Sequence, residues 1–258
     1  MAVPAADSRT ALPQPSGPQP SGPQPSGPQI QDRHPLALAL FGLTLVSGLI
    51  DAVSYLGLGH VFTANMTGNV VVIAFALAGA PGFSVAGSLT SLAAFLLGAG
   101  AGGRIAARWS AGRRPARLRA VFGLEAALYG AAAAVLFVRP PEGAAQYAVT
   151  ALLALAMGMR NATVRGLGIP DLTTTVLTLT LTGLAADSRL AGGTATRQRR
   201  RILSVATMLA GAAPGAVLVL HGRIAWALVA CAVLVGATVL LHRGWDDGPA
   251  GSAPGPSA

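Results

Sequence analysis

Eight apolar segments follow one another along this chain, and their length restricts what it can fold into. They cover approximately residues 36–57, 63–80, 85–103, 119–138, 144–164, 171–187, 201–220 and 224–242. Most of them reach the roughly 20 residues that a helix needs to cross the hydrocarbon core of a bilayer. Because 52% of all residues are hydrophobic and only 10% are charged, the sequence predicts an all-α membrane protein, a polytopic helix bundle in contact with the lipid bilayer.

Pro-rich tails flank the apolar region. The stretch SGPQPSGPQPSGPQ has no apolar face to bury, and the C-terminal end is similarly rich in Pro, Gly and Ser. Such composition favours disorder. We expect disordered tails at residues 1–34 and 244–258, and a transmembrane domain at 35–243 with repeat halves at about 36–138 and 144–242.

The positively charged residues of the chain lie mainly in the loops between apolar segments. The formal net charge is +9, and the arginines cluster between apolar segments, mainly at residues 104–119 and 187–201. Positive residues in such connections mark the cytoplasmic side of a membrane protein. The arginines therefore indicate topology, and nucleic-acid binding is excluded as the main function, because a binding domain would have no room outside these short loops.

The two halves of the chain contain matching residues. Gly48 and Asp51 match Gly158 and Asn161 110 residues later, and Thr67 matches Thr178 at an offset of 111. The glycine pair 98/102 matches the pair 211/215 at an offset of 113. Slowly drifting offsets are expected of a duplicated unit with small insertions. The sequence therefore predicts an internal repeat.

The arginine clusters predict that this repeat is inverted. Residues 187–201 are rich in arginine, whereas their counterpart at 80–85 has no charge; the rich loop 104–119 likewise has the poor counterpart 220–224. Equivalent loops thus lie on opposite sides, which requires an odd number of crossings per half. We expect six spanning helices, with 63–80 and 171–187 as re-entrant or broken polar helices, and both termini cytoplasmic.

A polar site is predicted where these two broken helices meet, as in inverted-repeat transporters. Asp51 lies inside an apolar segment, where an ionisable group is costly, and it is interpreted either as an ion- or proton-coupling carboxylate or as a structural acid. The predicted substrate-binding residues are Asp51, Asn65, Thr67, Asn69, Asn161, Thr174 and Thr178.

Two further charges have alternative interpretations. Arg160 is interpreted as a snorkelling anchor at a membrane edge, or as a ligand of an anionic substrate or an ion-pair partner of Asp51. Glu125 is interpreted as a second coupling acid, or as a salt-bridge partner of the Arg-rich loop 104–119.

The remaining chemistry-bearing residues do not form a site in the sequence. The four histidines have no second ligand at helical spacing, so no metal is predicted. The single Cys231 lies in an apolar run and is expected to pack as a small hydrophobic residue. No nucleophile–base pair or paired carboxylates are visible, so we predict no catalytic residues, no cofactor and no enzyme activity.

Two stretches carry a family resemblance. GLIDAVSYLGLGHVFTANMTGNVV at residues 48–71 and MGMRNATVRGLGIPDLTTTVLTLTLTGLAAD at 157–187 resemble the YoaK family of bacterial multi-pass membrane proteins, which carry a domain of unknown function (DUF1275). The resemblance covers about residues 36–242. It implies a bacterial cytoplasmic (inner) membrane location and about six spans, and it implies no substrate.

Two functions remain open from the sequence. The first is a small-solute secondary transporter or permease, with the proton as a candidate coupling ion. The second is a structural or accessory membrane protein, in which the polar segments hold the bundle together. Neither the solute nor the oligomeric state follows from the sequence.

Topology can be tested by cysteine-accessibility mapping. In a Cys231→Ala background, single cysteines at residues 80–85 and 187–200 should react with a membrane-impermeant thiol reagent from opposite sides of the membrane, because equivalent loops of inverted halves face opposite sides. Labelling of both loops from the same side would contradict the inverted arrangement and favour eight spans in parallel halves.

Overall fold

Helices account for the regular structure of this chain. The computed structural model describes residues 35–109, 114–166, 177–188, 192 and 198–241, and no strand occurs within these ranges. The helices are α1 (Pro35–Gly57), α2 (Met66–Leu77), α3 (Val85–Arg108), α4 (Arg114–Val138), α5 (Gly143–Arg165), α6 (Leu177–Ala186), α7 (Gln198–Leu220) and α8 (Ile224–Leu241). The all-helical prediction is confirmed for this part of the chain. The tails predicted at 1–34 and 244–258, and Thr174, lie outside the described residues.

The helices fall into long and short classes. Four of them are long and apolar enough to cross a membrane, namely Leu38–Gly57, Val85–Arg108, Ala116–Val138 and Gln198–Leu220. α5 is equally long, with 23 residues, but polar residues such as Arg160 interrupt its apolar sequence. α2 and α6 have only 12 and 10 residues. At 1.5 Å per residue they extend about 18 and 15 Å, well short of the roughly 30 Å hydrocarbon core.

The short helix α2 is closely tied to its flanking segments. Asn65 caps its N-terminus by accepting a hydrogen bond from the backbone N–H of Gly68 (3.4 Å). After its C-terminus, the carbonyl oxygen of Gly82 lies 3.0 Å from Nδ1 of His60, which precedes the helix. The chain therefore leaves α2 beside the point where it approached it.

Interhelical hydrogen bonds define how the halves are oriented. Arg160 of α5 reaches Ser47 of α1, and Gln146, near the start of α5, donates to the carbonyl oxygen of Leu58, just after the end of α1. Residue numbers thus increase along one helix as they decrease along the other, so α1 and α5 run antiparallel.

Glycine permits close contact in two helix pairs. α3 packs against α5, and α1 packs against α7. A Cβ atom added at Gly98 of α3 would overlap the carbonyl oxygen of Leu155 in α5, and one at Gly211 of α7 would overlap the carbonyl oxygen of Leu45 in α1. The two pairs use glycines that the sequence repeat aligns with each other. Small residues at such crossings allow backbones to approach closely.

The same pattern continues in the other contacts of the bundle. α5 also packs against α4, and α1 packs against α8, while α4 and α8 contact each other. α2 packs against α3, and α6 packs against α7. These contacts recur when α1, α2, α3 and α4 are exchanged for α5, α6, α7 and α8.

Replacement of Gly98 by alanine should destabilise the bundle. The added methyl group has no space against the Leu155 carbonyl, and overpacking of this kind costs about 1–3 kcal/mol. We expect a lower thermal unfolding temperature in detergent. Gly103→Ala is the matched control on the same helix, since a Cβ there meets nothing within 4 Å. Equal effects of the two substitutions would contradict the close packing of α3 on α5.

Candidate functional site

A cavity of about 420 Å³ is lined by residues from the N-terminal parts of α2 and α6. Asn65 and Thr67 line it from the start of α2, and Thr178 lines it from the start of α6. Three of the predicted substrate-binding residues, drawn from both halves of the chain, are thus brought to one place. The complete lining is Tyr55, Phe62, Asn65, Thr67, Gly68, Val71, Val72, Phe75, Phe83 and Thr178.

Aromatic rings form much of the wall of this cavity. Tyr55 and Phe62 are stacked with their ring centroids 4.8 Å apart, and Phe75 meets Phe83 edge to face at 5.6 Å. None of the described lining residues is charged. The cavity therefore presents hydroxyl and amide groups at one edge and aromatic surface elsewhere, which suits a small ligand with few polar groups.

Asn69 of α2 does not line the cavity, but it bonds Phe62, which does. Its side chain is completely buried. Its Oδ1 accepts a hydrogen bond from the backbone N–H of Phe62 (2.8 Å), while its Nδ2 donates to the Phe62 carbonyl (2.6 Å) and to Oγ of Ser91 (3.2 Å). The amide is thus occupied in holding the segment before α2 against α2 and α3.

Asp51 and Asn161 do not line the cavity and lie on α1 and α5, at positions that the predicted repeat aligns. Both residues are partly exposed. The Oδ1 atom of Asp51 is buried and has no hydrogen-bond partner. Asp51 precedes Tyr55 by one helical turn, so it lies next to the cavity on the same face of α1. Thr174, the remaining predicted residue, is not among the described residues.

Arg160 is completely buried in the centre of the bundle. Its Nη1 donates to the carbonyl oxygen of Leu43 (2.9 Å) and to Oγ of Ser47 (2.9 Å), both on α1. Its Nη2 donates to Oε1 of Glu125 and approaches the Tyr129 hydroxyl oxygen (3.3 Å), both on α4. The interpretation of Arg160 as a snorkelling anchor at a membrane edge is therefore wrong, because the guanidinium turns inward to a carboxylate.

Glu125 is the partner that the sequence did not identify. It is completely buried, forms an ion pair with Arg160 and accepts a hydrogen bond from the Tyr129 hydroxyl (2.7 Å). This ion pair is with an arginine of α5, whereas the interpretation from the sequence placed the partner in the Arg-rich loop. The sequence does show one arginine, Arg160, and one acid, Glu125, in separate apolar segments. The spacing of residues along each segment does not show which faces of two helices meet.

Comparison with known protein families places this chain in one of them. The family model described as "Protein of unknown function (DUF1275)" matches residues 39–241, which is most of the chain. The chain belongs to the DUF1275 family.

A curated relative supports this membership. The chain is 34% identical over 150 residues to the UPF0700 transmembrane protein YoaK of Bacillus subtilis (strain 168). The aligned part is 56% of this chain and 64% of that relative, so the match spans slightly less than two thirds of the relative's length. No solved structure matches significantly. The DUF1275 assignment agrees with the resemblance found in the sequence and shows an uncharacterised family of membrane proteins.

The buried ion pair can be tested by a double-mutant cycle. Glu125→Gln and Arg160→Gln should each lower the free energy of unfolding by up to about 3–5 kcal/mol, because each breaks the buried ion pair and its hydrogen bonds. The double substitution should cost clearly less than the sum of the two. Arg165→Gln is the matched control, since Arg165 is exposed at the end of the same helix. Additive losses from the two single substitutions would contradict the pairing.

Proposed function

We propose that this DUF1275 protein is a small-solute secondary transporter or permease of the bacterial inner membrane. The observation that supports this most is the shared cavity, which Asn65 and Thr67 of one half and Thr178 of the other half line together. Transporters built from inverted repeats commonly bind their substrates between discontinuous helices of the two halves.

The contacts of the bundle support an inverted repeat with six spans. Equivalent helices α1 and α5 run antiparallel, and equivalent glycines mediate the α3–α5 and α1–α7 packing. α2 and α6 are too short to span, and the contact of His60 with Gly82 favours a return of the chain to the same side. In this arrangement α2 and α6 do not cross, and both termini are cytoplasmic.

The lining favours an uncharged solute that is partly apolar. The described lining residues have no charge to balance an ion, and the aromatic rings offer stacking or edge contacts. The hydroxyl groups of Thr67 and Thr178 can hydrogen-bond a polar group of the solute from opposite halves. Asp51, one helical turn from the cavity, is the residue proposed to couple solute movement to protons.

The solute site can be tested by a stabilisation screen followed by binding measurements. Uncharged solutes that raise the unfolding temperature of the purified protein would be taken into calorimetry and proteoliposome uptake. We expect Thr67→Val and Thr178→Val to weaken binding by roughly 10-fold, the value of one lost hydrogen bond. Thr182→Val is the matched control on α6, since Thr182 bonds only the Thr178 carbonyl among described partners and does not line the cavity.

Replacement of Asp51 by Asn tests coupling separately. It should abolish pH-driven uptake into proteoliposomes while solute binding and the folded state remain. Unchanged uptake would remove Asp51 from the proposal.

A structural or accessory role is the alternative, and one observation favours it. The amide of Asn69 is used entirely within the bundle, by Phe62 and Ser91. If the polar segments serve only to hold the helices together, no solute should stabilise the protein, and Asp51→Asn should lower its thermal stability. That combined result would overturn the transporter proposal.

A further inference from the structure

A polar stripe on α1 connects the buried ion pair to the cavity. Ser47, Asp51 and Tyr55 are spaced four residues apart, which places them on one face with about 6 Å of rise between neighbours. Ser47 accepts a hydrogen bond from Arg160, and Tyr55 lines the cavity. Asp51 therefore lies between the Arg160–Glu125 pair and the cavity.

The charges of this region do not balance if both carboxyl groups are ionised. Among the described residues, Arg160 is the guanidinium bonded to this cluster, and Glu125 already pairs with it. The other ionisable groups described around the cluster are the Tyr129 hydroxyl of α4 and the buried Cys231 of α8. The segment of α7 that contacts this part of α1, residues 208–215, has no ionisable side chain. A second carboxylate would therefore lack a counterion in a low-dielectric interior, where an unpaired charge is very costly.

Hydrogen bonding decides which carboxyl group carries a proton. Glu125 Oε1 accepts hydrogen bonds from both Arg160 and Tyr129, and donors of this kind stabilise the ionised form. Asp51 Oδ1 and Glu125 Oε2 are both buried without any donor, so the two carboxyl groups differ by the two hydrogen bonds to Glu125 Oε1. The partial exposure of Asp51 leaves a path by which a proton can reach water.

We propose that Asp51 and Glu125 hold one exchangeable proton between them against the single positive charge of Arg160, and that this proton resides on Asp51. When the Asp51 O–H bond breaks, the proton passes to water and the new carboxylate faces Arg160, which Glu125 also binds. Ionised Asp51 then competes for the guanidinium that joins α1, α4 and α5. The proton count stands by itself, whereas its use in coupling rests on the proposed transport function.

The proposal predicts how many carboxyl protons each variant retains. At neutral pH the number of protons should equal the number of carboxyl groups at positions 51 and 125 minus the number of guanidinium groups at position 160. We expect one such proton in the wild-type protein, none in Asp51→Asn, none in Glu125→Gln, two in Arg160→Gln, and one in the double variant Glu125→Gln/Arg160→Gln.

Infrared difference spectroscopy of the full-length protein in liposomes measures this number. The carbonyl stretch of a protonated carboxyl group is separated from that of a carboxylate, and ¹³C-aspartate labelling should shift the whole wild-type band. The band should vanish in Asp51→Asn and Glu125→Gln and double in area in Arg160→Gln. Asp187→Asn is the control that leaves the band unchanged, because Asp187 is exposed and bonded to Arg201.

The variant series separates this proposal from simpler ones. A wild-type band that persists in Glu125→Gln would show that Asp51 is protonated independently of Arg160, and the absence of a wild-type band would show that the cluster holds no proton. Either result overturns the proposal. Size-exclusion chromatography shows whether Glu125→Gln folds. If it does not, the predicted doubling of the band area in Arg160→Gln tests the shared proton instead. A band with the expected dependence would support the shared proton even if no solute is transported.

Discussion

A guanidinium group buried among apolar helices must have its charge and its N–H groups satisfied by protein, because no water is available to do so. The two Nη atoms of Arg160 meet this requirement with Glu125 and Tyr129 on α4 and with Leu43 and Ser47 on α1, whereas its Nε has no partner among the described residues. These partners have to lie at one level of the bundle. The interaction therefore sets the relative positions of α1, α4 and α5, and the surrounding packing has to accommodate it.

The glycine contacts provide the second constraint. α3 against α5 and α7 against α1 approach until backbone meets backbone, since Gly98 faces the Leu155 carbonyl and Gly211 faces the Leu45 carbonyl. Close packing of the long helices leaves the short helices α2 and α6 outside these pairs, each beside one partner. Residues from their N-terminal parts line one cavity, so the polar edge of the proposed site depends on the packing of the long helices.

Much of this arrangement was predictable from residue patterns. The eight apolar segments each overlap one helix. The two that contain many polar residues, 63–80 and 171–187, contain the short helices α2 and α6. The offsets between Gly98 and Gly211 also pointed to equivalent packing positions, because both glycines face carbonyl oxygens. The length of a hydrophobic segment and the offset between repeated residues can be read from the sequence without knowledge of the contacts between helices. The roles of Asn69, Arg160 and Glu125 were not predictable, because each depends on what another element places opposite it.

The sequence by itself determined a helical membrane protein of the DUF1275 family, with two polar interruptions and an ionisable Asp51 inside an apolar helix. Only the tertiary structure decided that Arg160 points inward to Glu125 and that Thr67 and Thr178 share a cavity. The physical reason is that the rotation of each helix about its axis is set by packing and desolvation across the bundle. Helical spacing shows which residues share a face of one helix, whereas the neighbour of that face is known only from the fold.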